Sequence, residues 1–155
     1  MKLAVFIPDS IRAAWSLTEG WARTFGRMGH EVTTVRVPQN GQVSKAGFPS
    51  IEQLNEQDGI VLSGPEHLAP YLKAVYGLDG WGKVKTPKAG WYHESNDRDD
   101  KHFGFENLGW VCDTHFFPAV QDAEQLKGEW LPFGVDVEVF TPNEYDSEDY
   151  KRLYS

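Results

Sequence analysis

The chain opens on a continuous apolar run, Leu3-Ala-Val-Phe-Ile7, with no polar residue inside it. A strand covered on both faces has this pattern, so the run predicts a buried parallel strand. Pro8-Asp-Ser-Ile-Arg-Ala follows as a loop. Leu17, Trp21, Phe25 and Met28 then recur at helical spacing, behind the capping-box pattern Ser16-Leu-Thr-Glu19 and ahead of Gly29 as a left-handed stop. Glu31–Val37 is rich in β-formers and ends at Pro38, so residues 1–37 read strand, helix, strand.

The same alternation continues. Gln39–Ser50 is a polar excursion, and Ile51–Gln57 a short helix. Asp58–Ser63 is the third strand, and Gly64-Pro-Glu opens a helix through about Tyr76, with proline in the first turn where its missing N–H costs nothing. Gly77–Lys85, with its three glycines, reads as a loop carrying an exposed Trp81. Lys88–Tyr92 is the fourth strand, Gly109–Thr114 the fifth, Pro118–Leu126 a helix and Glu129–Pro132 a last strand. Strands and helices in this rhythm predict an α/β fold: a doubly wound, mostly parallel, Rossmann-like sheet of about six strands with helices on both faces. There is no internal repeat and no low-complexity segment.

Composition narrows the functional classes. A chain of 155 residues, 40% apolar and 25% charged, is sized for one domain with a real core. The net charge is −8, and residues 136–155 carry six acids against two bases. An acidic chain repels phosphate backbones, which argues against a nucleic-acid partner. The single cysteine, Cys112, has no partner for an intrachain disulfide; it reads as a buried structural thiol in a reducing, cytoplasmic setting. The apolar run at the start is too short for a signal-peptide core or a membrane span.

Candidate chemistry concentrates after the fourth strand. Ala89-Gly-Trp-Tyr-His-Glu-Ser-Asn-Asp-Arg-Asp-Asp100 passes from apolar to densely polar at His93, and His93–His102 holds two histidines, four carboxylates, Arg98 and Lys101. Open α/β sheets bind ligands at the carboxyl ends of their strands. His93, Glu94 and Asp9, which follows strand one, are therefore the candidates for catalysis. With strands one and four expected as neighbours, an imidazole and a carboxylate share one crevice. Arg12 and Ser10 in the first loop, Ser63 at the end of strand three, and Trp91 and Asn96 beside His93 are the candidates for substrate contact. An indole such as Trp91 offers a flat apolar face to a sugar. The cluster shows neither His-Glu-x-x-His nor a calcium loop with its glycine, so no metal ligands are assigned.

Two further segments carry a family resemblance. Trp130-Leu-Pro-Phe-Gly-Val-Asp-Val-Glu-Val-Phe-Thr-Pro142 resembles the Gly-Val-Asp…Phe-x-Pro segment where the first domain of GT-B glycosyltransferases hands over to the second. Arg27-Met-Gly-His-Glu-Val-Thr33 is similar to the family's entry into strand two. The resemblance implies that residues 1–142 are an amino-terminal, acceptor-side domain and 143–155 an acidic tail or the start of an interdomain linker. It implies transfer of a sugar from a nucleotide-sugar donor to an acceptor hydroxyl without a cofactor or catalytic metal. It also implies a role for His93, since a histidine after the fourth strand often reaches the donor sugar or its phosphates. The chain departs from the family in Pro8-Asp-Ser-Ile-Arg-Ala-Ala14, which lacks the glycine-rich turn, and it ends at Ser155, about where the donor-binding domain begins. The expectation is an acceptor-side half, catalytically incomplete alone and served by a partner chain or a homo-oligomer. The alternative is a non-catalytic Rossmann-like module that binds a nucleotide, a sugar or a protein.

Overall fold

The computed structural model describes residues 1–9, 17–38, 47–93, 97–98, 101–102 and 104–131. In chain order the elements are β1 (Lys2–Pro8), α1 (Leu17–Arg27), β2 (Glu31–Val37), α2 (Ile51–Asn55), β3 (Gly59–Ser63), α3 (Pro65–Trp81), β4 (Lys88–Trp91), β5 (Asp97–Arg98), β6 (Lys101–His102), a 3₁₀ turn (Phe105–Leu108), β7 (Thr114–Phe117), α4 (Val120–Leu126) and β8 (Glu129–Trp130). Six strands form one sheet in the order β2-β1-β3-β4-β7-β8, and every pairing is parallel. β5 and β6 form a separate antiparallel pair. The fold is Rossmann-like α/β, as the alternation predicts.

The two faces of β1 explain its unbroken apolar run. Leu3, Val5 and Ile7 pack beneath Trp21, Ala22 and Phe25 of α1. Ala4 and Phe6 point the other way, into a core with Leu54 of α2 and Leu68, Leu72 and Trp81 of α3. Successive strand side chains alternate between faces, so a strand roofed on both sides has no polar position left. Each such side chain removed from water contributes about 1.5–3 kcal/mol. Met28, counted with the apolar stripe of α1, lies beyond the helix and is 64% exposed. Among the described residues no helix is long and apolar enough to cross a membrane.

Two sequence expectations are corrected. The segment Gly77–Lys85 does not begin as a loop: α3 continues to Trp81 across a break at Gly77 (φ 69°, ψ 167°). That break re-aims the chain so that Trp81 enters the core at 1% exposure. Its indole N–H donates to Val111 O at 2.9 Å, and its ring meets the edge of Phe6 at 6.0 Å. The fifth strand is not Gly109–Thr114 but Thr114–Phe117. Val111 and Cys112 are buried as the sequence suggests, yet neither is in a strand: Val111 closes a turn, its N–H donating to Leu108 O, and Cys112 follows it. A short apolar run signals burial, not strand. Cys112 is a structural thiol, and burial pushes its pKa well above the ordinary thiol range.

Gly90 sets how closely α3 approaches the sheet. A Cβ there would lie 2.6 Å from Pro65 Cγ and closer still to Cys112 Sγ. Gly90→Ala is therefore expected to destabilise the fold by about 1–3 kcal/mol through overpacking. Urea denaturation checks this, and an unchanged midpoint would show that the space is there.

Candidate functional site

The site grows out of one turn. β3 ends at Ser63, which is fully buried, and the chain reverses through Gly64 in the left-handed region (φ 77°, ψ 64°). The Gly64 N–H donates to Trp91 O at 2.8 Å, tying the turn to the end of β4. Glycine is required for space as well as for backbone angle. A Cβ at this position would meet His93 Nδ1 at 3.0 Å and His67 Cδ2 at 3.2 Å. Pro65 then starts α3, whose first turn presents Glu66 and His67.

His93 follows β4 at the same sheet edge, because Ser63 and Trp91 are in register. It is gripped at two points. Its backbone N–H donates to Glu66 Oε1 at 2.7 Å, and its ring Nε2 lies 2.8 Å from Ser63 Oγ. His67 Nε2 is 3.7 Å from the same Glu66 oxygen. The Glu66 side chain is only 3% exposed, whereas that of His67 is 40% exposed. A carboxylate in a helix's first turn is favoured by the helix dipole.

Burial, and secondarily the neighbouring His67, push the His93 pKa down to about 4. The ring is therefore neutral at pH 7, with one nitrogen a donor and the other an acceptor. What it offers a ligand is a directed hydrogen bond or a lone pair, not a positive charge. Ser63 and Glu66, both buried, hold the ring in place beneath that surface.

The sequence candidates divide into three groups. His93 and Ser63 come together directly. Asp9 stands at the end of β1, its N–H donating to Val37 O at 2.8 Å, but β3 lies between β1 and β4. The expected adjacency of strands one and four is thus corrected. Two strand spacings, about 10 Å, separate the ends of β1 and β4, so Asp9 and His93 do not stand on adjacent strands. Trp91 is 3% exposed, donates its indole N–H to Leu131 O, and packs edge-on against Trp21 and His93. A buried indole has no face to give a sugar, so Trp91 supports the site from beneath. Ser10, Arg12, Glu94 and Asn96 lie outside the described residues, as do the capping residue Ser16 and the Gly134-Val-Asp136 segment. Part of the polar stretch after His93 forms the β5–β6 pairing, Asp97 opposite His102 and Arg98 opposite Lys101.

Glu66 and His67 escape the sequence reading, which stops at Gly64-Pro-Glu as a helix start. The available signal was two titratable residues placed at once after a buried strand and a glycine turn, which puts them at the ligand-binding edge. The chain matches no family model and no curated protein.

Proposed function

We propose that the chain is the acceptor-side domain of a GT-B-type glycosyltransferase, with His93 as its principal contact to a sugar. The observation that carries this reading is a neutral histidine at the carboxyl end of the fourth strand, fixed by Ser63 Oγ and by Glu66, at the position the family resemblance implies. Sugar hydroxyls both donate and accept, and the neutral imidazole of His93, steadied from beneath by the buried Ser63 hydroxyl and Glu66 carboxylate, suits them. With its pKa near 4, His93 is a weak base at neutral pH, so its role is to hold and orient a hydroxyl or phosphate oxygen rather than to abstract a proton. Transfer also needs a leaving diphosphate stabilised and water excluded, which in this architecture takes two facing walls. The six-stranded parallel sheet described above would be one of them.

Thermal unfolding with a panel of sugar acceptors, UDP-, GDP- and ADP-sugars and free diphosphates tests the proposal, alongside a transferase assay. At 100 times its dissociation constant a ligand should raise stability by about 2.7 kcal/mol. The expected result is stabilisation by a sugar ligand that His93→Ala abolishes, with no turnover by this chain alone. Robust turnover would overturn the one-wall reading. Binding that survives His93→Ala would favour a non-catalytic module whose site lies elsewhere.

A further inference from the structure

We infer that Glu66, His67 and His93 form a binding site for a divalent transition-metal ion. The inference goes beyond glycosyl transfer and does not depend on it. One ligand atom from each of the three residues lies within 4.8 Å of the other two. Two imidazoles and one carboxylate are a donor set that zinc and its neighbours in the first transition row accept, in an arrangement that leaves positions open for a further ligand.

The surroundings are those of a metal site. A ligating histidine is normally oriented by an oxygen on its other ring nitrogen. Ser63 Oγ stands 2.8 Å from His93 Nε2 in that role. With Nε2–H donating to Ser63, the lone pair is on Nδ1, and Nδ1 faces the space above Gly64 that His67 also borders. Glu66 is held by the His93 N–H, so the carboxylate and this ring are fixed with respect to each other. A Cβ at Gly64 would press on both imidazoles, 3.0 Å from His93 Nδ1 and 3.2 Å from His67 Cδ2, so glycine is what lets the two rings border the same spot. Ligands of a tetrahedral zinc sit about 3.3 Å apart, given bonds of about 2.0–2.1 Å. The closure needed falls to His67, whose side chain is 40% exposed, while Ser63 and Glu66 keep His93 in place. No sequence motif displays this set, because the ligands come from two segments 27 residues apart.

The full chain, stripped with a chelator, should be titrated with Zn2+ by calorimetry and with Co2+ by visible absorption. The expected result is one ion per chain, with Co2+ bands of low-symmetry nitrogen and oxygen coordination. His67→Ala, at a half-exposed position that leaves the fold intact, should weaken binding by about 10-fold or more. Ser63→Ala, which removes a positioning residue and no ligand, should also weaken it by about 10–100-fold. His30→Ala, on a separate part of the chain, should bind as the parent does. Absence of stoichiometric binding, or equal affinity in His67→Ala and the parent, would overturn the site.

Discussion

Trp81→Ala is expected to cost about 3–5 kcal/mol of unfolding free energy, the range for removing a large aromatic from a packed core. That is a large share of the roughly 5–15 kcal/mol by which a domain is stable. The indole is almost wholly buried, stands edge-on to Phe6 in the buried strand β1, and packs on Tyr76 at 5.4 Å. Its loss would open a cavity between α3 and the sheet and leave Val111 O without its 2.9 Å donor. Trp81→Phe separates the two effects, since it keeps most of the apolar volume and removes the donor. An unsatisfied buried carbonyl costs about 1–3 kcal/mol. Urea unfolding of both variants measures the terms, and a loss under about 1 kcal/mol for Trp81→Ala would contradict the packing described.

Acid is expected to produce the second large effect. The folded state holds the His93 pKa at about 4, below the ordinary 6.5, because burial disfavours the charged ring. Between those values the unfolded chain binds the proton and the folded chain does not, so stability falls as pH falls. The neutral form's contribution is complete above about pH 6.5 and is lost progressively towards pH 4. The difference corresponds to roughly 3 kcal/mol, as an order of magnitude. His115 is shifted in the same direction, mainly by burial, and adds to the slope. The measurement is urea stability against pH for the parent and His93→Gln, in which glutamine keeps a polar group near Ser63 but cannot titrate. The parent should lose more between pH 6.5 and 4 than the variant, and parallel curves would refute the assignment.

The architecture was legible because burial on two faces leaves so plain a mark. β1 to β4 fall where the apolar and β-rich runs place them, with ends moved by a residue or so. Strand order was less legible. It depends on which neighbour each strand takes, and that choice put β3 between Asp9 and His93. The fate of Trp81 was hidden because the glycines around it suggested a loop, whereas distant partners, Phe6 and Val111, decide its position. At the site, His93 was visible as the point where an apolar strand turns polar. Glu66 and His67 were not, because their proximity to His93 arises only when a helix returns the chain to the adjacent strand.

That return has a consequence for how such a site is inherited. Ser63, Gly64, Glu66, His67 and His93 all belong to the β3–α3–β4 unit, and the ends of the unit meet through the Gly64–Trp91 and Ser63–His93 contacts. The constellation is therefore a cassette: one contiguous stretch of about thirty-five residues carries it, and β1 and β7 act as rails on either side. Recombination that moved this stretch between parallel sheets would move the chemistry with it, whereas a single crossover between Ser63 and His93 would leave each product with only part of the set.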